Sequence, residues 1–204
     1  IRNAHRPEQM VVEKPKPLFP DTPLVKDGAA NAVILCPEGA QWRHTVEKPD
    51  AGWMDPQFDD SSWSYGPGGF GTQGTPGARV GTPWRSRDIW IRRPFELPEG
   101  FANKPAGLAL LVHHDEDVEI YLNGKPAGKA TGYVRDYVLL PMDRRALGGL
   151  KAGQNTMAAH CRQTGGGQFI DVALVDIECA ATRATARPSE TPAAPAAQGV
   201  VPAF

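Results

Sequence analysis

Val112-His-His-Asp-Glu-Asp-Val-Glu-Ile-Tyr-Leu-Asn-Gly124, answered further on by Asn155-Thr-Met-Ala-Ala-His-Cys-Arg-Gln-Thr-Gly-Gly-Gly-Gln-Phe-Ile-Asp171, decides the fold. The first stretch reads as a strand, a tight acidic corner and a second strand that ends in an Asn-Gly turn. Asn and Gly tolerate positive φ, which the tight turns of β-hairpins require. The second stretch is another strand, broken by three glycines. Together they predict an all-β antiparallel sandwich with its unusual polar residues gathered at one sheet end, and any chemistry should lie there.

Working outward, alternation supports the same class. Ile89, Ile91 and Phe95 interleave with Trp90, Arg92 and Glu96, the period-two pattern of one buried and one wetter face. Strands are expected at 32–35, 41–45, 88–97, 106–113, 118–122, 135–140, 155–161 and 169–177. A short helix is expected over 144–150, capped by Asp143 and stopped by Gly153. Residues 46–87 are Gly-rich and poor in strand signals, and a loop of that length is either functional or packed on itself.

Composition narrows the class further. Glycine (22) and proline (20) make up about a fifth of the 204 residues, which suits a turn-rich β-domain and not a helical bundle. The balance of 22 basic and 23 acidic residues, net −1, supplies no basic face for nucleic acid. No apolar run approaches the ~20 residues needed to span a bilayer. The chain begins at Ile1 without a charged-then-apolar leader, which reads as a mature form or a piece of a longer polypeptide. Residues 1–30 hold five prolines and read as an extended linker. Residues 180–204 are rich in Ala, Pro and Thr and cannot bury enough apolar surface to fold alone. The domain is therefore placed at 31–179. Cys36 and Cys179 close its first and last apolar runs. A bridge between them is sterically open if those strands are neighbours, and two free thiols are the alternative. Cys161, in mid-strand, reads as a small core residue.

Several fragments then align with one pattern. Trp42, Gly52-Trp53, Phe58-Asp-Asp-Ser-Ser-Trp63 and Gly69-Phe-Gly71 resemble the entry segment of the galactose-binding-like jelly-roll domains attached to β-galactosidases and other glycoside hydrolases. Ile89-Trp-Ile-Arg-Arg-Pro-Phe95, Leu122-Asn-Gly124 and the set Leu150, Gly153 and Asn155 resemble it as well. The likeness covers about residues 40–178. It implies a jelly-roll accessory domain of a larger extracytoplasmic (secreted, periplasmic or surface) protein of polysaccharide-degrading bacteria, with a companion catalytic domain as partner. Some such sandwiches are only spacers, so the resemblance leaves ligand binding open.

The residues offer candidate sites. Sugar rings stack their CH faces on flat aromatics, and their hydroxyls pair with amides and carboxylates. Trp84 and Tyr133 are the candidate stacking rings, and Asp115, Asp117, Arg135, Gln163 and Gln168 the candidate polar partners. These belong to loops at 72–90, 113–117, 131–136 and 163–169. Trp42, Trp53 and Trp63 are expected to pin the long loop onto the sandwich. Asp115, Glu116 and Asp117 form an acidic corner of the kind that ligates Ca²⁺, and it resembles the calcium corner of PA14 lectin-like domains. It departs from that pattern, with Asp-Glu for the paired aspartates and no following glycine, and the alternative is a solvated turn. His113 and His114 face opposite ways on one strand. One of them could meet His160 across paired strands, but a hydrogen-bond network with Asp117, Asp171 or Gln163 is expected instead. Thr164-Gly-Gly-Gly-Gln168 opens no helix and so is no phosphate cradle.

No Gly-x-Ser-x-Gly or recognisable triad is present. The favoured reading is thus a non-catalytic module that binds a polysaccharide or oligosaccharide. A structural spacer is the alternative, and a metal-dependent enzyme a third.

Overall fold

The computed structural model describes residues 33–34, 40–99 and 108–176. The segments read as linker and tail, together with Cys36 and Cys179, lie outside the described residues. Two sheets make up the domain, as the alternation predicts. The first holds β1 (Val33–Ile34), β4 (Phe70–Gly71), β5 (Thr82–Pro83), β7 (Leu108–Asp115), β10 (Val138–Leu140) and β12 (Phe169–Asp176), in the order β10-β7-β12-β4-β5 with β1 also on β12. The second runs β3-β2-β6-β11-β8-β9, built from β2 (Gln41–Thr45), β3 (Ser64–Pro67), β6 (Asp88–Leu97), β8 (Asp117–Leu122), β9 (Lys125–Ala130) and β11 (Gly153–Arg162). All pairings are antiparallel except the two-residue parallel step of β4 on β5.

Each sheet turns one face inward. Leu110, Val112, Ile170 and Leu174 of the first layer meet Ile89, Ile91, Ile120, Leu122 and Met157 of the second, all buried. Trp42 and Trp84 belong to that core. Cys161 is buried there too, as expected, and burial pushes its thiol far above the ordinary range. The long segment after β2 packs over the outer face of the second sheet. There Trp53 and Trp63 form a second apolar cluster with Trp90 and Ala158. The buried Arg92 guanidinium fastens it, donating to Asp55 O (2.8 Å), Phe58 O (3.2 Å) and the Asp60 carboxylate (2.7 Å). The segment is therefore internally packed, one of the two outcomes its length allowed.

Asn123 and Gly124 hold positive φ (49° and 78°), the turn the sequence announced. Asn123 Nδ2 also donates to Gly149 O and to Asn155 Oδ1, which joins the hairpin to the turn before β11. The one helix described, α1 (Arg144–Leu147), is capped by Asp143 as expected but ends at Gly148, one turn earlier than Gly153.

Candidate functional site

Four connections converge beyond the ends of β7, β11 and β12. The acidic corner joins β7 to β8, and residues 131–137 join β9 to β10. The glycine loop 163–168 joins β11 to β12, and residues 72–87 surround β5. They are tied together by backbone and amide bonds. His114 Nδ1 faces two carbonyls, Glu116 O (2.6 Å) and Gly132 O (3.1 Å), so this nitrogen must carry the proton. Val134 N–H donates back to His114 O (3.0 Å), and Gly132 N–H to Asp117 Oδ1 (3.0 Å). Tyr133 pairs with Asp115 as an isolated bridge.

The glycine loop is held on its other side. Gln163 Nε2 donates to Gly167 O (2.5 Å), and Gln168 Nε2 to Ser86 O (2.5 Å). Gln168 N–H donates to the Thr75 hydroxyl (3.0 Å), and the Thr164 hydroxyl donates to the Glu116 carboxylate. Gly167 is demanded by packing: a Cβ there would stand 2.5 Å from Asp115 Oδ2. A side chain there would force the buried carboxylate, or the loop lying against it, to shift. Burial pushes the Asp115 carboxyl above its usual range. The Glu116 charge adds to the shift, and His114 opposes it.

These ties leave an open cleft of about 280 Å³. Asp115, Glu116, Tyr133 and Arg135 stand in its walls, with Pro76 and Val134, and Gly165 to Gly167 form one side. Tyr133 is 59 % exposed, whereas Asp115 is 6 % exposed. A second cleft, of about 400 Å³, adjoins it through Gly165 and is lined by Arg85, Ser86, Arg87, Gln163 and Thr164.

The candidates read from the sequence therefore separate. Tyr133, Asp115, Glu116 and Arg135 share the first cleft, and Gln163 borders the second. Asp117 and Gln168 serve the loops themselves. Trp84 is a correction: it is 2 % exposed, and its indole N–H is spent on the Ser86 hydroxyl (2.9 Å) and Asp88 O (3.3 Å). Its faces are packed into the core, so it offers no sugar platform. The three carboxylates of the corner also go separate ways: Asp115 to Gly167, Glu116 to Thr164 and Asp117 to the Gly132 amide. Among the described residues no group of three or more His, Cys, Asp or Glu is placed to hold a metal ion.

The histidine network differs from the one expected. His160 stands in the second sheet, bonded to Asp88 Oδ1 (2.8 Å) and stacked on Trp90 (4.6 Å), while His113 and His114 stand in the first. No two of these imidazoles share a strand pair. Asp171 accepts from the Tyr137 hydroxyl (2.6 Å) rather than from a histidine. His113 is fully buried, against Phe169 (4.7 Å) and Tyr137 (5.4 Å), with neither ring nitrogen bonded. Sequence reasoning missed Arg85 and Arg87, whose signal is two arginines flanking a serine just ahead of a strand.

No protein-family model matches the chain, and no curated protein does. Solved structures do resemble it in chain path. A glycosyl hydrolase family 2 member from Bacteroides cellulosilyticus superposes with a TM-score of 0.47 at 16 % identity, over 68 % of this chain and 20 % of its own. β-Glucuronidase 2 of Bacteroides uniformis gives 0.46 at 20 % identity, over 71 % and 18 %. Bifidobacterium dentium β-glucuronidase gives 0.43 at 14 %, over 64 % and 20 %. The chain spans about a fifth of the length of these structures. No residue of the clefts takes a role from these likenesses.

Proposed function

We propose that this domain is a non-catalytic saccharide-binding module of a larger, extracytoplasmic carbohydrate-active protein. One observation carries the reading: an exposed tyrosine ring stands at a cleft whose other walls present two carboxylates, a guanidinium and a strip of bare glycine backbone. A sugar ring laid on Tyr133 places its CH face on the aromatic and its hydroxyls toward Asp115, Glu116 and Arg135. The sequence resemblance to hydrolase-borne accessory domains adds the companion catalytic domain and the location outside the cytoplasm. Among the described residues no helix is long and apolar enough to cross a membrane.

Hydrolysis by the cleft itself is disfavoured on chemical grounds. Glycosidases set two carboxylates about 5–10 Å apart across the scissile bond, one on each side. Here the two are consecutive residues on one wall, one of them buried and the other bonded by Thr164. Affinity is weak, because an open cleft desolvates few groups and one ring supplies the stacking.

The spacer reading is favoured by one feature, the burial of Trp84, which leaves Tyr133 as the one aromatic ring lining the cleft. Retention on immobilised polysaccharides, with Tyr133→Ala beside the unaltered protein, separates the two. Binding that the variant loses supports the module. A protein retained by none of a broad panel is a spacer.

A further inference from the structure

We infer that the saccharide carries an acidic substituent, a uronate carboxylate or a sulfate ester, read by Arg85 and Arg87 in the second cleft. The inference rests on the saccharide-binding reading of the first cleft and extends it across Gly165, the residue both clefts share.

The turn before β6 is built to present these two side chains. Ser86 between them turns inward: its hydroxyl accepts from Trp84 Nε1 (2.9 Å) and donates to Asp88 O (2.9 Å). Arg85 and Arg87, on either side of it, are left exposed in the lining of the second cleft. The backbone is fixed as well, since Gln168 Nε2 donates to Ser86 O and Gln163 N–H to Arg87 O (2.7 Å). Among the described residues neither guanidinium has a carboxylate partner, whereas Arg92, Arg145, Lys129 and His160 are each held in an ion pair.

Two unpaired guanidiniums on a fixed turn, facing a cleft of about 400 Å³, form a site for an anion. The planar fork of arginine matches a carboxylate or sulfate bidentately. The nearby acids are committed elsewhere: Asp88 is held by His160 (2.8 Å), and Glu116 accepts from the Thr164 hydroxyl. Tyr133 in the adjoining cleft then supplies a platform for a neighbouring ring of the same chain. A repeating acidic glycan satisfies both clefts at once. A nucleic acid would satisfy the arginines, but the chain's net charge of −1 gives it no wider basic track.

The test is affinity electrophoresis and calorimetry of the whole chain against polygalacturonate, a sulfated galactan, the corresponding neutral galactan and single-stranded DNA, each at low and high salt. The proposal expects binding to one or both acidic glycans about tenfold tighter than to the neutral one, weakened by salt. The pair Arg85→Ala and Arg87→Ala together removes that advantage, with neutral-glycan binding and melting temperature unchanged. The carboxylate and sulfate arms tell which acid is read. Equal binding to acidic and neutral polymers, unaltered in the arginine variant, overturns this inference and leaves the saccharide reading standing. Binding to DNA as tight as to the acidic glycans overturns it as mere attraction to polyanions. No binding to any glycan overturns the saccharide reading, and this inference with it.

Discussion

Arg92→Ala is the substitution with the largest consequence that follows from this architecture. Its side chain is 2 % exposed, on the outer face of the second sheet. Burial pulls its pKa down, and the charges of Asp60 and Asp55 hold it up. The guanidinium donates three bonds to the segment between β2 and β3 and lies over the Phe58 ring (5.2 Å). Truncation leaves two carbonyls and a carboxylate without their donor, and opens a hole beneath the segment. Breaking a buried ion pair costs about 3–5 kcal/mol. The Asp60 side chain is 28 % exposed, so water recovers part of the loss and the low end applies, about 3 kcal/mol. For a domain of this size each kcal/mol moves the melting temperature about 2–4 °C, so a fall of about 10 °C is expected. Scanning calorimetry with tryptophan fluorescence reads both effects: a lower transition, and red-shifted emission as Trp53 and Trp63 gain water. A fall below about 3 °C with unaltered emission would show that Arg92 does not hold the segment.

Other outcomes follow from single contacts. Tyr133→Ala abolishes retention on a bound polysaccharide and leaves the melting temperature within about 1 °C, since an exposed ring supports little packing. Gly167→Val drives a side chain into the Asp115 carboxylate, so it loses about 1–3 kcal/mol in denaturant titration and weakens binding as well. Burial holds His113 below its ordinary 6.5, so the unfolded chain binds the extra proton between the folded value and 6.5. Its stabilising effect is then complete above about pH 6.5 and is lost as pH falls toward the folded value. His113→Leu removes that loss, and its melting temperature gains more at pH 5 than at pH 7.5. An equal gain at both would remove His113 from the account. His44 is lowered in the same direction, but it is common to both proteins and cancels in the comparison.

The bounds of β6 were legible because its alternation is local, but the face of Trp90 and Arg92, read as the wetter one, is buried because the segment after β2 covers it. The strands β3, β4 and β5 lie in the Gly-rich stretch and span only two to four residues each. They are ordered by pairing with other parts of the chain, such as β4 on β12 and Thr72 N–H to Gln168 O (2.9 Å), and carry no pattern of their own. The strand β9, Lys-Pro-Ala-Gly-Lys-Ala, is poor in strand-forming residues and is paired through the register that Asn123 and Gly124 impose on it. At the site, the grouping of Asp115, Tyr133 and Arg135 could be read from loops expected at one end. The burial of Trp84 could not. Its place beside a flexible-looking stretch suggests a free ring, and only the Ser86 hydroxyl, two residues on, shows where the indole N–H is satisfied. The bond between Tyr137 and Asp171 joins residues 34 apart and has no local trace.

The most direct measurement for the saccharide cleft is amide chemical-shift mapping of the isotopically labelled chain during titration with oligosaccharides, acidic and neutral. The account predicts saturating shifts confined to Tyr133, Val134, Arg135 and Gly165 to Gly167, reaching Arg85 and Arg87 when the sugar is acidic. Shifts that saturate on another surface, or none with any oligosaccharide, would contradict it.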